Sequence, residues 1–498
     1  MEKWQVQRLK DKYGFELVQT HISWVLLGES VVYKIKKPVD FGFLDYTTLE
    51  KRKFYCEKEI ELNSRLSKEI YLGVSSVVEK NGELFIDEDG DIVDYAVKMK
   101  RMPQDRMMNV LIEEGKIKQS YIVSLAKKIA NFHLHAETNE YISSFGSVET
   151  NKFNTDENFE QTKEAVGEFI TAYQYNSIKD YTDRFYKDKK HLFEKRIKDG
   201  KIRDCHGDLY SRNICIIDEN TIYVYDCIEF NERFRYSDVA SDVAFLLMDL
   251  ENYERYDLSE LFLDRYVCFS KDSGITEIVD FYKIYRAYVR GKIAYFQSQK
   301  KQANLYFDLS FGYLPDKYKP KVIVICGLTG SGKSTVASFI SKKTGFEVLS
   351  SDAVRKELAG MEPLERDLSA YKGGIYTDEM TERVYKELCN RAYNLARNGK
   401  SVVLDATFIK ERYRKMVVDR FRRLGIKPFF AFLEVDEKTA LEHFKKREME
   451  SSVSDGRYEI FLKQKEELEK PEYAFFVDGS KSALEIADKI LERVGVKA

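Results

Sequence analysis

Nowhere does the chain string together the roughly 18 apolar residues that a helix needs to cross a bilayer, so no membrane span is expected. Its seven cysteines (Cys56, Cys205, Cys215, Cys227, Cys268, Cys326 and Cys389) contain no C-x-x-C pair. That argues against a structural zinc site, and an odd, scattered set suits reduced thiols in a cytoplasmic setting. The opening stretch MEKWQVQRLKDKYGF lacks the apolar centre of a secretory signal, which points to the same compartment. Neither sign of charge dominates: 81 basic residues face 83 acidic ones, a formal net charge of −2. Without an overall field, neither nucleic acid nor an anionic membrane is favoured as a partner. Prolines are scarce, and no internal repeat or low-complexity tract is visible.

Apolar material is not scarce. Hydrophobic residues make up 43% of the 498 positions and aromatics 13%, ample for packed cores and more than a single core usually accommodates. VVYKIKK, residues 31–37, alternates as a half-buried strand does, with Lys34 and Lys36 on one face. TLEKRKFYCEKEIELNSRL reads as a helix, and VVEKNGELFIDEDGDIVDYAVKM as hairpin strands with NG and DG turn signals. Helical patterns then dominate to about residue 200 and resume to about residue 305. FGYLPDKYKPK breaks the pattern, and KVIVICGL behind it is a buried-strand run. The expected division is therefore 1–316 and 317–498, the second part alternating apolar strands (VIVIC, SVVLDA, PFFAFLEV) with charged helices as a doubly wound α/β domain does.

Phosphoryl transfer needs a positioned acceptor hydroxyl, metal ions on the phosphates and cations against the spreading charge. In HGDLYSRNICIIDENTIYVYDCIEF, Asp208 supplies a carboxylate and Asn213 an amide carbonyl five residues on, with Asp226 ending the strand TIYVYD. These residue types orient a hydroxyl and hold magnesium. His206 is expected to anchor the backbone, Asp238 and Asp242 to brace loops, and His133 and His135 to pack.

Gly327-Leu-Thr-Gly330-Ser-Gly332-Lys333-Ser334 matches G-x-x-x-x-G-K-[ST] in full, after an apolar strand and before a helix. Its glycines let backbone N–H groups curl around a phosphate, with Thr335 following among the nucleotide contacts. Lys333 would reach the β- and γ-phosphates and the Ser334 hydroxyl the magnesium. In SSDAVRKEL, Asp352 is placed to take an acceptor proton and Arg355 to hold the acceptor. Asp405 ends the strand SVVLDA, where a metal-shell aspartate sits, and Arg447 is a candidate lid arginine beside Lys445 and Lys446.

HGDLYSRNI and YDCIEF resemble the aminoglycoside and choline phosphotransferase branch of the protein-kinase-like fold, over residues from about 20 to 300. YKIKKPVDFGFLDYTTLEKR, FRYSDVASDVAFLLMDLE and YRAYVRGK are similar to one bacterial subgroup of it. The resemblance implies an α+β bilobal domain with Asp208 as catalytic base and Asn213 and Asp226 as metal ligands. It also implies that Lys34 contacts the nucleotide phosphates and that Glu59 pairs with it; Lys36, on the same strand face, stays open as the alternative. In the stretch leading directly into the Lys34 strand only Gly28 is available, with no G-x-G-x-x-G. Residues from about 320 to 498 resemble small P-loop kinases of the polynucleotide-kinase, gluconate-kinase-like and zeta-toxin-like group, through SSDAVRKEL, IYTDEMTERVY, VVLDATF and SDGRYEIFLKQ.

The chain thus reads as a bifunctional ATP- and magnesium-dependent phosphotransferase acting on small-molecule hydroxyls, a nucleic-acid end being the less favoured acceptor. The alternative is one kinase-like catalytic domain regulated by an ATP-binding P-loop module.

Overall fold

A computed structural model describes residues 1–42, 44–362, 365, 372–448 and 457–496, the side chains of 446–448 excepted. The chain forms two compact units: Met1–Glu160 with Thr182–Val289, and Gln161–Tyr181 with Arg290–Ala498. The division expected at residue 317 follows the chain, whereas these units interleave along it. Asp308 supplies a physical reason. Its buried carboxylate accepts from Gln174 Nε2 and Arg397 Nε at 2.7 Å each, and from the Tyr393 hydroxyl at 2.6 Å. A buried charge must be paired, so this knot fastens residues ahead of 317 to the helix Asp378–Arg397 beyond it.

The first unit builds a six-stranded sheet from β1 (Glu16–Gln19), β2 (Ser23–Leu27), β3 (Val31–Lys36), β4 (Tyr71–Lys80), β5 (Glu83–Ile86) and β6 (Asp91–Lys100). The order is β1-β2-β3-β6-β4-β5, each neighbouring pair antiparallel. Ile35 packs with Val6, Leu9, Trp24 and Leu26, under the helix Lys3–Tyr13. Lys34 and Lys36 point oppositely, toward the helix Leu49–Ser67. In the β4–β5 turn Asn81 and Gly82 take φ of 55° and 79°, the left-handed pair that a two-residue hairpin turn needs to match strand twist.

The rest of this unit is mostly helical. Two short antiparallel ladders interrupt it: β7 (Ile202–Asp204) pairs with β10 (Tyr236–Asp238), and β8 (Ile214–Ile216) with β9 (Ile222–Val224). The helix Val239–Asn252 behind them is buried along nearly its whole length.

The second unit carries a parallel sheet of β11 (Val322–Cys326), β12 (Glu347–Ser350), β13 (Val402–Asp405), β14 (Phe429–Glu434) and β15 (Phe475–Asp478), in the order β12-β13-β11-β14-β15. Every residue of β11 is buried, as its uninterrupted apolar run requires. Ile323, Ile325 and Leu433 meet Val336 and Ile340 of the helix Lys333–Thr344, and Ile486 and Ile490 of the helix Ala483–Val494. Among the described residues no helix is long and apolar enough to cross a membrane.

Candidate functional site

Two clusters of chemistry-bearing residues form, one in each unit. In the first, the β8–β9 register places Ile214 opposite Val224. Tyr225 N then donates to Asn213 O at 3.0 Å, which sets Asp226 beside Asn213. Asp226 takes φ 63°, a left-handed conformation costing an ordinary residue on the order of 1 kcal/mol or more, and such strain concentrates at functional sites. The backbone there is held by Asn63, whose Oδ1 accepts from Cys227 N at 2.8 Å.

The loop carrying Asp208 is fixed from three sides. The Asp242 carboxylate accepts the N–H groups of His206 at 2.7 Å and Gly207 at 2.9 Å. Arg286 Nη1 donates to Gly207 O at 2.9 Å. A Cβ at Gly207, which has φ +84°, would lie 2.9 Å from Phe234 O, so this turn excludes larger residues. His206 Nε2 donates to Tyr225 O at 3.0 Å, leaving Nδ1 to accept from Asp208 N at 3.3 Å. Burial pushes the imidazole pKa down to about 4, so the ring is the neutral tautomer this pattern needs. Burial would raise the Asp242 carboxyl, but the hydrogen bond from His133 and the positive groups around it hold it at about 2. Asn213 Nδ2 donates to Asp208 Oδ2 at 3.0 Å and to Asp208 O at 2.9 Å, so its Oδ1 takes no part in the contact with Asp208.

Lys34 and Lys36 both reach Glu59. Lys34 Nζ donates to Glu59 Oε1 at 2.9 Å and to Asp226 Oδ1 at 2.6 Å. Lys36 Nζ donates to Glu59 Oε2 at 2.7 Å and to Glu229, which also accepts from the Tyr46 hydroxyl at 2.6 Å. Their exposures separate them: 15% for the Lys34 side chain and 1% for that of Lys36. Lys34 borders the half-exposed Asp226, while Lys36 is sealed in. Burial alone would lower both ammonium pKa values. The carboxylates of Asp226 and Glu59 hold Lys34 well above the usual range, and those of Glu229 and Glu59 do the same for Lys36. Glu59 is buried, which would raise its pKa, but the two lysines bring it to about 2. Gly28 lies in the β2–β3 turn, its N–H donating to Val31 O and its carbonyl accepting from Arg101 Nη1, both at 2.8 Å.

In the second unit the site lies at the C-terminal ends of parallel strands, where open α/β sheets leave a crevice. Gly327, Gly330 and Gly332 hold φ of +143°, +81° and +85°, and a Cβ on Gly330 would come 2.6 Å from the Phe444 ring. His443 Nδ1 donates to Gly330 O at 2.7 Å. The buried Lys333 folds onto the loop, donating to Leu328 O at 2.9 Å. Thr329 N donates to Gln464 Oε1 at 2.8 Å. Lys333, Ser334, Asp352, Arg355 and Asp405 all line one cavity of about 570 Å³. The side chain of Arg447 lies outside the described residues.

Sequence reasoning passed over several lining or bracing residues. Arg457, Ile460, Gln464 and Glu467 line the same cavity, at helical spacing along Tyr458–Glu467 and its N-cap. Tyr385 and Tyr413 stack at 3.9 Å between ring centroids. In the first unit, Glu229 and Tyr46 close the buried end of the lysine cluster. The available signal was Glu229 itself, an acid three residues beyond Asp226 in an otherwise apolar strand exit.

A family profile described as AAA domain matches residues 322–471. A gluconokinase from Sinorhizobium meliloti 1021 is similar to part of the chain: 22% identity, covering 35% of this chain and 93% of that one, with a TM-score of 0.27. The APS kinase CysC of Mycobacterium tuberculosis, solved with AMPPNP and APS, covers 36% of this chain and 98% of its own at 19% identity and a TM-score of 0.28. Over a longer span, the uncharacterized protein Rv2004c of Mycobacterium tuberculosis is 30% identical across 404 residues, 80% of this chain and 79% of the relative. The uncharacterized protein Mb2027c of Mycobacterium bovis matches to the same extent. The chain belongs to the family of these mycobacterial proteins, and its residues 322–471 form an AAA-type P-loop domain.

Proposed function

We propose that the chain is an ATP- and magnesium-dependent phosphotransferase with two sites, a kinase-like one in the first unit and a P-loop kinase site in the second. Each would pass a phosphoryl group to a small-molecule hydroxyl. The observation that carries the reading is the gathering of Lys333, Asp352, Arg355 and Asp405 around one cavity at a glycine loop. The residues fit a nucleotide polyphosphate. Three glycines at positive φ let the loop backbone curl with no side chain at those positions, and the loop opens onto the N-terminus of the helix Lys333–Thr344, where N–H groups and the helix dipole favour an anion.

When bound, magnesium-ATP supplies the phosphoryl group and a cation that offsets its charge. Lys333 would neutralise phosphate oxygens, with Ser334 and Asp405 as the metal's protein partners. Asp352, half-buried on the cavity wall, would accept the acceptor proton. In the first unit Asp208 would orient and deprotonate an acceptor. Lys34 would hold nucleotide phosphates with Glu59 behind it, and Asn213 Oδ1 and Asp226 would hold magnesium. The committed Asn213 amide nitrogen and the half-exposed Asp226 carboxylate support that assignment.

The test is transfer from radiolabelled ATP, by the full chain, to a panel of hydroxy compounds. Asp208→Asn and Lys333→Ala should each remove a different set of products. Absence of any magnesium-dependent product would overturn the proposal. Loss of every product in Lys333→Ala alone would make the P-loop half the regulator of a single kinase.

A further inference from the structure

We infer that Gln464 contacts the terminal phosphate of a nucleoside triphosphate in the P-loop site, donating through Nε2 while Oε1 holds the glycine loop. This deepens the reading of that site as a kinase and rests on it.

Thr329 N donates to Gln464 Oε1 at 2.8 Å. A backbone N–H needs an acceptor, so this bond fixes which end of the carboxamide is oxygen and leaves the NH2 group for another partner. Gln464 is half-buried and lines the cavity together with Gly330, Lys333, Asp352 and Asp405. Among the described residues no acceptor stands within hydrogen-bond distance of Nε2.

The carboxamide sits on a braced element. Phe461, one helical turn earlier on Tyr458–Glu467, is buried in one cluster with Leu328 and Phe444. One helix face therefore serves two successive loop residues, Leu328 and Thr329. A turn beyond Gln464, Glu467 meets Lys372 at 3.0 Å and Lys410 at 3.8 Å.

A loop of this kind cradles the inner phosphates with its backbone N–H groups, and its lysine reaches the outer two. Thr329 N is given to Gln464, so at this point the loop offers a ligand a side-chain donor in place of a backbone one. Transfer runs from the loop toward Asp352, the proposed acceptor base, and the phosphate on that side is the terminal one. An amide N–H on a phosphate oxygen makes a charge-assisted bond, and being neutral it is compatible with Lys333 nearby. ATP and ADP therefore differ at Gln464, since only the triphosphate brings an oxygen there.

The experiment is calorimetry on the full chain with magnesium, comparing ADP with the non-hydrolysable analogue adenylyl imidodiphosphate. The P-loop event is the one that Lys333→Ala removes. Gln464→Glu keeps an oxygen for Thr329 N but sets a carboxylate against the terminal phosphate. Analogue affinity should fall at least about tenfold while ADP affinity stays within about threefold. Gln464→Leu removes both ends of the carboxamide and should also cost the analogue about tenfold, more than it costs ADP. Where a melting curve shows that Gln464→Leu is misfolded, Gln464→Glu, with the loop bond kept, carries the test. If Gln464→Glu binds both nucleotides as wild type does, or loses both equally, Gln464 is only a brace for the loop; the inference then falls and the kinase reading stands. Absence of any Lys333-dependent nucleotide binding would remove the kinase reading and the inference with it.

Discussion

Lys36→Met puts the charge cluster of the first unit to a quantitative test. Lys36 is fully buried, and its ammonium lies between Glu59 at 2.7 Å and Glu229. Removing the ammonium leaves Glu229, 4% exposed at its side chain, with the Tyr46 hydroxyl in place of a cation. Breaking a buried ion pair by deleting one partner costs about 3–5 kcal/mol. In a unit of this size each kcal/mol lowers the melting temperature by about 2–4 °C, so Lys36→Met should melt roughly 6–20 °C lower. Lys34→Met should behave differently. Glu59 keeps Lys36, and Asp226, with 46% of its side chain exposed, can be hydrated instead, so the loss is on the order of 1 kcal/mol. Differential scanning calorimetry of the full chain reads both. Adding Glu229→Gln to Lys36→Met removes the orphaned charge and should recover about half of the lost stability. If Lys36→Met melts with wild type while Lys34→Met falls by more than about 5 °C, the assignment of structural and functional roles along β3 is reversed.

Asp208→Asn should lower turnover at the first site about a hundredfold to ten-thousandfold while leaving nucleotide affinity intact, as single-turnover kinetics beside calorimetry would show. Lys333→Ala should weaken nucleotide binding and turnover at the second site together and leave Asp208-dependent products within a few-fold. His206 shapes the acid limb of stability. Because its pKa is depressed from 6.5 to about 4, the neutral ring's contribution is complete above pH 6.5 and is lost as pH falls to 4. That contribution is on the order of 3 kcal/mol. Urea titrations from pH 7 to pH 4 should show that slope, and His206→Asn should flatten it; an unchanged slope would show that another group titrates there.

Much of the architecture follows from local pattern. VIVIC has no polar position and becomes the central buried strand, and VVYKIKK alternates and becomes a strand with two different faces. Asp208, Asn213 and Asp226 could be brought together on paper because two short strands and one turn separate them. The pairing of Lys34 with Asp226 spans 192 residues and follows from tertiary packing alone. What stayed hidden is set by distant chain. No periodicity says that Lys36 would be closed off by Glu229, that Asp308 would anchor three polar partners, or that Gln464 would accept from a glycine-loop amide. A composition break is visible near residue 317, but compactness is decided by contacts such as those of Asp308, which composition does not encode.

The two clusters manage charge in opposite ways, and this bears on what each can bind. In the first unit the ammonium groups of Lys34 and Lys36 are matched by Glu59, Asp226 and Glu229. A polyanion reaching Lys34 must therefore displace Asp226, which is unfavourable unless Asp226 gains another positive partner. A divalent cation arriving with the polyanion provides one, so Asp226 would move from lysine to metal without either charge being stranded. Glu59 need not move, since Lys36 holds its second oxygen from the buried side. In the second unit no carboxylate among the described residues stands within ion-pair distance of Arg355, whose Nη1 donates only to the neutral Ile375 O and Thr381 Oγ1, so an anion settling there displaces none of those carboxylates. Binding at the first cluster should accordingly be coupled to the metal, whereas an anion at Arg355 should bind with little dependence on it. That contrast follows from which charges the fold already neutralises and which it leaves for a ligand.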